Sequence, residues 1–375
     1  LHLSIRRQRQ MCIRDRVIDL KNVFGIDYVK SMSDMVDSYE KLIKGVDTLM
    51  NVDYSGFDAT PKELIFQEDK MKLYHYEPKV KDPNKIPTLI VYALVNKQYM
   101  MDLQEDRSLI KNLLEGGQDI YIIDWGYPTM DDKYIGLEDY INGYIDDCVD
   151  IIRRKHNIEK INITGICQGG TFSFIYTATH GEKINALVSL VTPIDFSTDD
   201  GLLFKWGPYL NPENMVKAFG NVPGEFMNAG FVFLKPIDLM MDKYVGVIDS
   251  LDDPNKLANF LRMEHWIFDS PDQVGRAYQE FQEEMYHKNN LIKGEFYLDG
   301  ERVDLKNVKC PVLAILGTKD NQVPPNATRP IPKAVGSKDV ELVEVETGHI
   351  GLFVSGRSQR EVAPKINEFL TSRSK

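Results

Sequence analysis

Ten residues, Ile161-Asn162-Ile163-Thr164-Gly165-Ile166-Cys167-Gln168-Gly169-Gly170, restrict the fold more than any other stretch of the chain. The apolar run reads as a buried strand, and the Gly-x-Cys-x-Gly-Gly that ends it leads into a stretch that can be helical. A strand that passes directly into a helix must turn sharply. A nucleophile at that turn takes a strained backbone conformation, and only residues without a Cβ fit beside it. The glycines flanking Cys167 meet that requirement, and the turn lifts the thiol to the top of the sheet. The plainer alternative is a tight strand–helix turn with an incidental buried cysteine. The rest of the chain decides between them.

With 375 residues and 43% hydrophobic content, the chain can bury a large core, as one elaborated domain or two ordinary ones. A formal net charge of -11 leaves no basic stripe able to neutralise a phosphate backbone, which argues against nucleic acid as a partner. Arg153-Arg154-Lys155 closes a helix pattern and is read as a solvated last turn. Cys12, Cys148, Cys167 and Cys310 have no paired spacing, so neither a disulfide framework nor a metal site is expected, and a reducing cytoplasm fits best. No run approaches the ~18 apolar residues of a transmembrane helix, and no secretory leader is visible.

Along the chain, residues 1–16 carry five arginines against the single acid Asp15 and are read as a disordered or misassigned leader. Apolar positions from Met35 to Leu49 recur at helical spacing, predicting an amphipathic helix over 34–50. Glu63 to Tyr76 suggests an antiparallel hairpin edge. Strand 88–95, helix 108–115, strand 120–125, helix 137–156, the elbow strand, helix 171–180 and strand 186–191 then alternate, which predicts a parallel sheet. On the long helix Cys148 shares a face with Tyr140, Ile141, Tyr144, Val149 and Ile152, so it is read as a packing residue. From 195 to 308 the strand rhythm stops, giving way to Phe204, Trp206, Tyr209, Phe219, Phe226, Phe231, Phe233, Met240, Met241, Trp266, Phe268 and Phe281 among helical signals. This segment is read as a cap over the sheet and as the wall of an apolar pocket. Strands resume over 312–316 and 340–345, each delivering one polar residue beyond its carboxyl end, Asp320 and His349, and a last helix spans roughly 360–370. The expected division is therefore 17–194 and 309–375 as the two parts of one core, with 195–308 inserted.

The order Cys167, Asp320, His349, with acid and histidine in loops after late strands, resembles that of α/β-hydrolases, an α/β fold with a mostly parallel central sheet. A thiol is mostly protonated at neutral pH; an adjacent imidazole raises its thiolate fraction, and a carboxylate on the other ring nitrogen fixes the tautomer. Singly, Asp320 could cap a Pro-rich loop and His349 could be a satisfied loop histidine. Together and in order they make a catalytic set. The oxyanion hole of this fold uses the backbone N–H after the nucleophile, here Gln168, and a second from the loop after an earlier strand, placed by topology near Val95-Asn96. A cysteine nucleophile suits a thioester donor, because transfer from thiol to thiol is nearly balanced in energy. The apolar cap would keep water from an acyl-enzyme.

These residues resemble the class III, two-subunit polyhydroxyalkanoate (PHA) synthases in their catalytic subunit. The likeness runs from about Phe24 to near the end of the chain. It rests on Met50-Asn51-Val52-Asp53-Tyr54, Val91-Tyr92-Ala93-Leu94-Val95-Asn96-Lys97, Asp124-Trp125-Gly126, the elbow, Arg262 to Pro271 with Glu264-His265-Trp266, and Gly348-His349-Ile350-Gly351. The resemblance implies polymerisation of (R)-3-hydroxyacyl-CoA, chiefly short-chain monomers such as 3-hydroxybutyryl-CoA, with CoA as leaving group and no cofactor. It implies Cys167 as acyl acceptor, His349 as its base, and Asp320 as the group that orients His349 and assists deprotonation of the attacking 3-hydroxyl. It also implies a growing polyester chain, a homodimer, a non-catalytic PhaE-type partner and residence on cytoplasmic granules. One departure stands out: many members carry a histidine directly after the triad aspartate, where this chain has Asn321. The rival readings are a Cys-dependent hydrolase of the thioesterase or dienelactone hydrolase kind and a non-catalytic granule protein.

Overall fold

The structure is a computed structural model that describes residues 51–234, 247, 251 and 253–374. The leader and the helix expected over 34–50 lie outside the described residues. The chain divides into two units, residues 1–53 with 237–260 and residues 54–236 with 261–375. The sheet and the site belong to the second.

Its strands are β1 (Lys62–Glu68), β2 (Met71–Tyr76), β3 (Thr88–Val91), β4 (Ile120–Asp124), β5 (Ile161–Ile166), β6 (Ile184–Leu190), the short β7 (Tyr297–Leu298) and β8 (Glu301–Arg302), β9 (Val312–Gly317) and β10 (Val340–Val345). Eight of them form one sheet in the order β1-β2-β4-β3-β5-β6-β9-β10, while β7 and β8 pair separately. Within this sheet β1 and β2 are antiparallel and β2 joins β4 antiparallel, and every other pairing is parallel. The inner strands β3, β5 and β9 are buried at every residue, as strands covered on both faces must be. Charged residues mark the two edges, Lys62, Glu63 and Glu68 on β1 and Glu341 and Glu344 on β10, and discourage pairing with another sheet.

Alternate residues supply two cores. One face gathers Leu73, Val91, Ile123 and Ile163 under helix α1 (Asp146–His156). The other gathers Ile90, Ile122, Ile166, Val188 and Ile315 under the last helix of the chain, Gly356–Ser372, through Val362, Ile366, Phe369 and Leu370. That last helix starts four residues ahead of the predicted 360 because Ser355 caps it, its side chain accepting from the Ser358 N–H at 3.0 Å.

Other boundaries also moved for physical reasons. The expected helix 137–156 contains a π-helical stretch, Asp139–Ile145, before α1. Tyr140, Ile141, Tyr144 and Ile145 are buried on it, as an ordinary helical period would also place them. The predicted strand 88–95 stops at Val91, and residues 92–97 leave the sheet as a loop. The helix after the elbow, α2 (Gln168–Thr179), begins directly after Cys167 rather than at Thr171. Between β6 and β9 the chain forms helices, among them Leu202–Trp206, Gly224–Leu234, Pro254–Phe268 and Gly275–Phe281, together with the β7–β8 pair.

Candidate active site

Cys167 sits between β5 and α2 at φ 53°, ψ -121°, a left-handed conformation costly for a residue with a side chain. Its neighbours hold it there: the Cys167 N–H donates to Leu190 O at 2.9 Å, and its carbonyl accepts from the Gly170 N–H at 2.9 Å. A Cβ at Gly169 would run into the carbonyl oxygens of Val91 and Tyr92, and one at Gly165 would run into the Gly170 backbone. The glycines of the motif therefore serve close approach, and they bring the start of α2 against the loop that follows β3. A second strained residue borders the elbow. Val191, just past β6, is buried at φ 46°, and for a β-branched residue that conformation is rare. Nothing in the sequence pattern announced it.

His349 and Asp320 arrive on the loops beyond β10 and β9. His349 Nδ1 lies 2.7 Å from Asp320 Oδ2, and the other carboxylate oxygen accepts from the N–H groups of Gln322 and Val323 at 2.8 and 2.9 Å. Asp320 is thus buried yet satisfied, and it cannot swing away from the ring. The imidazole interacts electrostatically with Cys167, with which it lines one cavity. Burial lowers the basicity of His349, but Asp320 and Cys167 outweigh it and raise the pKa from 6.5 to about 10. Asn321 is exposed and bonds only backward, its Nδ2 donating to Lys319 O at 3.2 Å.

The remaining cysteines in the described residues lie elsewhere. Cys148 is fully buried on α1 with its Sγ 3.8 Å from Met71 Sδ, and burial raises its pKa. Burial likewise pushes Cys310 up to about 12.

Cys167, Gln168, Val95 and His349 all line one cavity of about 90 Å³. The strand loops contribute Tyr92, Asn96, Gln322 and Ile350, and the helical segment between β6 and β9 contributes Leu203, Met227, Phe231, Trp266, Phe281 and Tyr286. Of the aromatic residues singled out in the sequence, Phe231, Trp266 and Phe281 reach this wall. Trp206, Tyr209, Phe219, Phe226, Phe233 and Phe268 are exposed, and Phe204 packs in the core instead. Among the described residues, neither the Gln168 N–H nor the Val95 N–H has an acceptor within the protein. Both are therefore available to a developing negative charge. No group of three metal-ligating side chains occurs among the described residues, and no helix there is long and apolar enough to cross a membrane.

Two contributors escaped the sequence reading. Trp266, noted only as part of a motif and as an aromatic of the insertion, donates its indole N–H to the Lys97 carbonyl at 2.7 Å. Gln273 lines the cavity from the segment after the helix Pro254–Phe268. Its neighbours Ser270-Pro271-Asp272 and Gly275-Arg276 are those of an ordinary polar loop, so no local signal revealed it.

Comparison with known proteins agrees with this architecture. A family model described as alpha/beta hydrolase fold matches residues 45–355. A poly(3-hydroxyalkanoate) polymerase subunit PhaC from Thiocystis violacea is 47% identical over 346 residues, covering 92% of this chain and 98% of the relative. One from a Synechocystis species is 44% identical over 353 residues, 92% of this chain and 93% of the relative. Among solved structures, a monoacylglycerol lipase from Paleococcus ferrophilus aligns with a TM-score of 0.52 at 18% identity, covering 80% of this chain and 99% of the lipase, a likeness of fold. With a cysteine elbow on an eight-stranded, mostly parallel sheet and near-full-length likeness to these polymerase subunits, the chain belongs to the PhaC family within the α/β-hydrolase fold.

Proposed function

We propose that this chain is the catalytic subunit of a PHA synthase, which polymerises (R)-3-hydroxyacyl-CoA, with 3-hydroxybutyryl-CoA as monomer, through a thioester on Cys167. The observation that carries this reading is the Cys167–His349–Asp320 relay at the edge of a largely apolar cavity. The likeness to polymerase subunits supports it along nearly the whole chain.

In this mechanism the Cys167 sulfur attacks the thioester carbonyl, and charge builds on the carbonyl oxygen, which the N–H groups of Gln168 and Val95 receive. The carbon–sulfur bond to CoA breaks, and the departing thiolate takes the proton held by His349. His349, now neutral, removes the proton from the 3-hydroxyl of an incoming monomer or chain. The resulting oxygen attacks the acyl carbonyl, an ester bond forms, and the bond to Cys167 breaks. Asp320 holds the ring in the tautomer both steps need. The aromatic wall favours an alcohol over water as acceptor by leaving little room for bulk solvent. No cofactor enters, since CoA is the leaving group of the substrate itself.

A non-catalytic PhaE-type subunit, a homodimer and residence at the surface of cytoplasmic granules complete the proposal. Incubation with 3-hydroxybutyryl-CoA, with and without PhaE, tests it. Polymer and free CoA are expected, and Cys167→Ala should give neither. Soluble 3-hydroxybutyrate without polymer would instead identify a thioesterase.

A further inference from the structure

The loop from Tyr92 to Lys97 is held on both sides of a single residue. Gln168, the first residue of α2, accepts the Leu94 N–H on its Oε1 at 3.1 Å. Gln273 donates its Nε2 to the Leu94 carbonyl at 3.2 Å. Both side chains border the cavity with Cys167. Gln273 is 4% exposed, and it is itself fixed: its backbone N–H and carbonyl both pair with Val222 at 2.8 Å, and its Nε2 also reaches Pro271 O at 3.2 Å.

Geometry gives this grip a consequence. The described chain has no cis peptide bonds, and in a planar trans peptide the carbonyl of one residue points opposite to the N–H of the next. Holding the Leu94 carbonyl therefore sets the direction of the Val95 N–H, which has no acceptor of its own among the described residues. Two neighbouring bonds hold the same loop from the same segment: Asn96 Nδ2 to Ser270 Oγ at 2.6 Å and Trp266 Nε1 to Lys97 O at 2.7 Å. A donor useful to a transition state must be aimed before the charge appears, because aiming it during the reaction would cost the stabilisation it provides.

We propose that Gln168 and Gln273 are positioning residues that aim the Val95 N–H as the second oxyanion donor, so that the insertion, through Gln273, builds part of the oxyanion hole. The inference rests on Cys167 as nucleophile and Val95 as donor. Leu94 acts as the pivot. The elbow grips it by its N–H and the insertion by its carbonyl, so a hole that is formed by core backbone is complete only with Gln273 in place.

The test compares two reactions of the same thiol in the full-length chain. Acylation of Cys167 by 3-hydroxybutyryl-CoA, followed as CoA release in a single turnover, develops an oxyanion; alkylation by iodoacetamide does not. Gln273→Glu keeps the shape of the side chain but removes the donor, and Gln168→Met removes the acceptor. Removing one oxyanion donor outright costs on the order of 100- to 1,000-fold. Misaiming it should slow acylation about 10- to 100-fold while the alkylation rate and its pH profile stay at wild-type values. Acylation at the wild-type rate in both variants would overturn the inference. So would alkylation slowed in step with acylation, which would mean a general disturbance of the site. If wild-type Cys167 is not acylated at all, the catalytic reading itself falls, an outcome distinct from the other two.

Discussion

The indole N–H of Trp266 lies 2.7 Å from the carbonyl oxygen of Lys97, and the same ring forms part of the cavity wall facing Cys167. One side chain thus ties the segment before β9 to the loop after β3 and also shapes the space in which the acyl group would sit. Removing only the bond should be measurable. Trp266→Phe retains most of the ring but leaves the Lys97 carbonyl without this donor, and a buried acceptor stripped of its partner costs about 1–3 kcal/mol. Urea denaturation should show a lower midpoint with an unchanged slope, and Trp266→Ala should lose more, about 3–5 kcal/mol, because a cavity is added.

The cysteines should sort by reactivity. Cys148 and Cys310 are held as thiols by burial, whereas Cys167 lines a cavity together with the His349 imidazole. Brief iodoacetamide treatment of the native chain, followed by peptide mass mapping, should label Cys167 well ahead of the other two, and CoA release should fall in proportion. Labelling of Cys148 first would contradict the site.

The imidazole of His349 should titrate far above an ordinary histidine. Burial opposes its charged form, but Asp320 and Cys167 outweigh burial and bring the value to about 10. In Asp320→Asn the largest opposing interaction is lost and the titration seen by NMR should fall below the wild-type value. The sign for stability follows from linkage. A pKa raised on folding contributes stability that is fully present below the ordinary value of 6.5 and is lost as pH rises through about 10. The stability difference between wild type and Asp320→Asn should therefore shrink across that window. A difference that grows with pH would reverse the assignment.

Gly169 and Gly143 offer a paired test. At Gly169 an added methyl meets the carbonyl oxygens of Val91 and Tyr92, backbone that cannot step aside, whereas at Gly143 nothing lies within 4 Å. Gly169→Ala should cost about 1–3 kcal/mol and lower turnover at least tenfold by parting the elbow from the Leu94 loop. Gly143→Ala should leave turnover unchanged and raise stability by up to about 1 kcal/mol.

The places of Cys167, Asp320 and His349 just beyond strands were legible because β5, β9 and β10 are rich in Val, Ile and Leu, and the order of the three is itself a pattern. The parallel sheet was legible for the same reason. What escaped was whatever depends on contacts between distant segments. Nothing local to Leu94 indicates that Gln168 and Gln273, 74 and 179 residues further along, will hold its two polar groups. The π-helical stretch at Asp139–Ile145 was invisible because its buried residues also satisfy an ordinary helical period. The exposed Phe226, Phe233 and Phe268 could not be told from Phe231 and Phe281, because hydrophobicity marks a residue as apolar without saying which surface it meets.

The backbone angles of Cys167 bear on how the protein is made. A chain emerging unfolded has no reason to hold a cysteine at φ 53°, ψ -121°; that posture exists only when β5, β6 and α2 have closed around it. Until then the residue is an ordinary thiol, without His349 beside it and without donors aimed at a carbonyl. Under the proposed function, thioester exchange at Cys167 would therefore begin only once the sheet is finished.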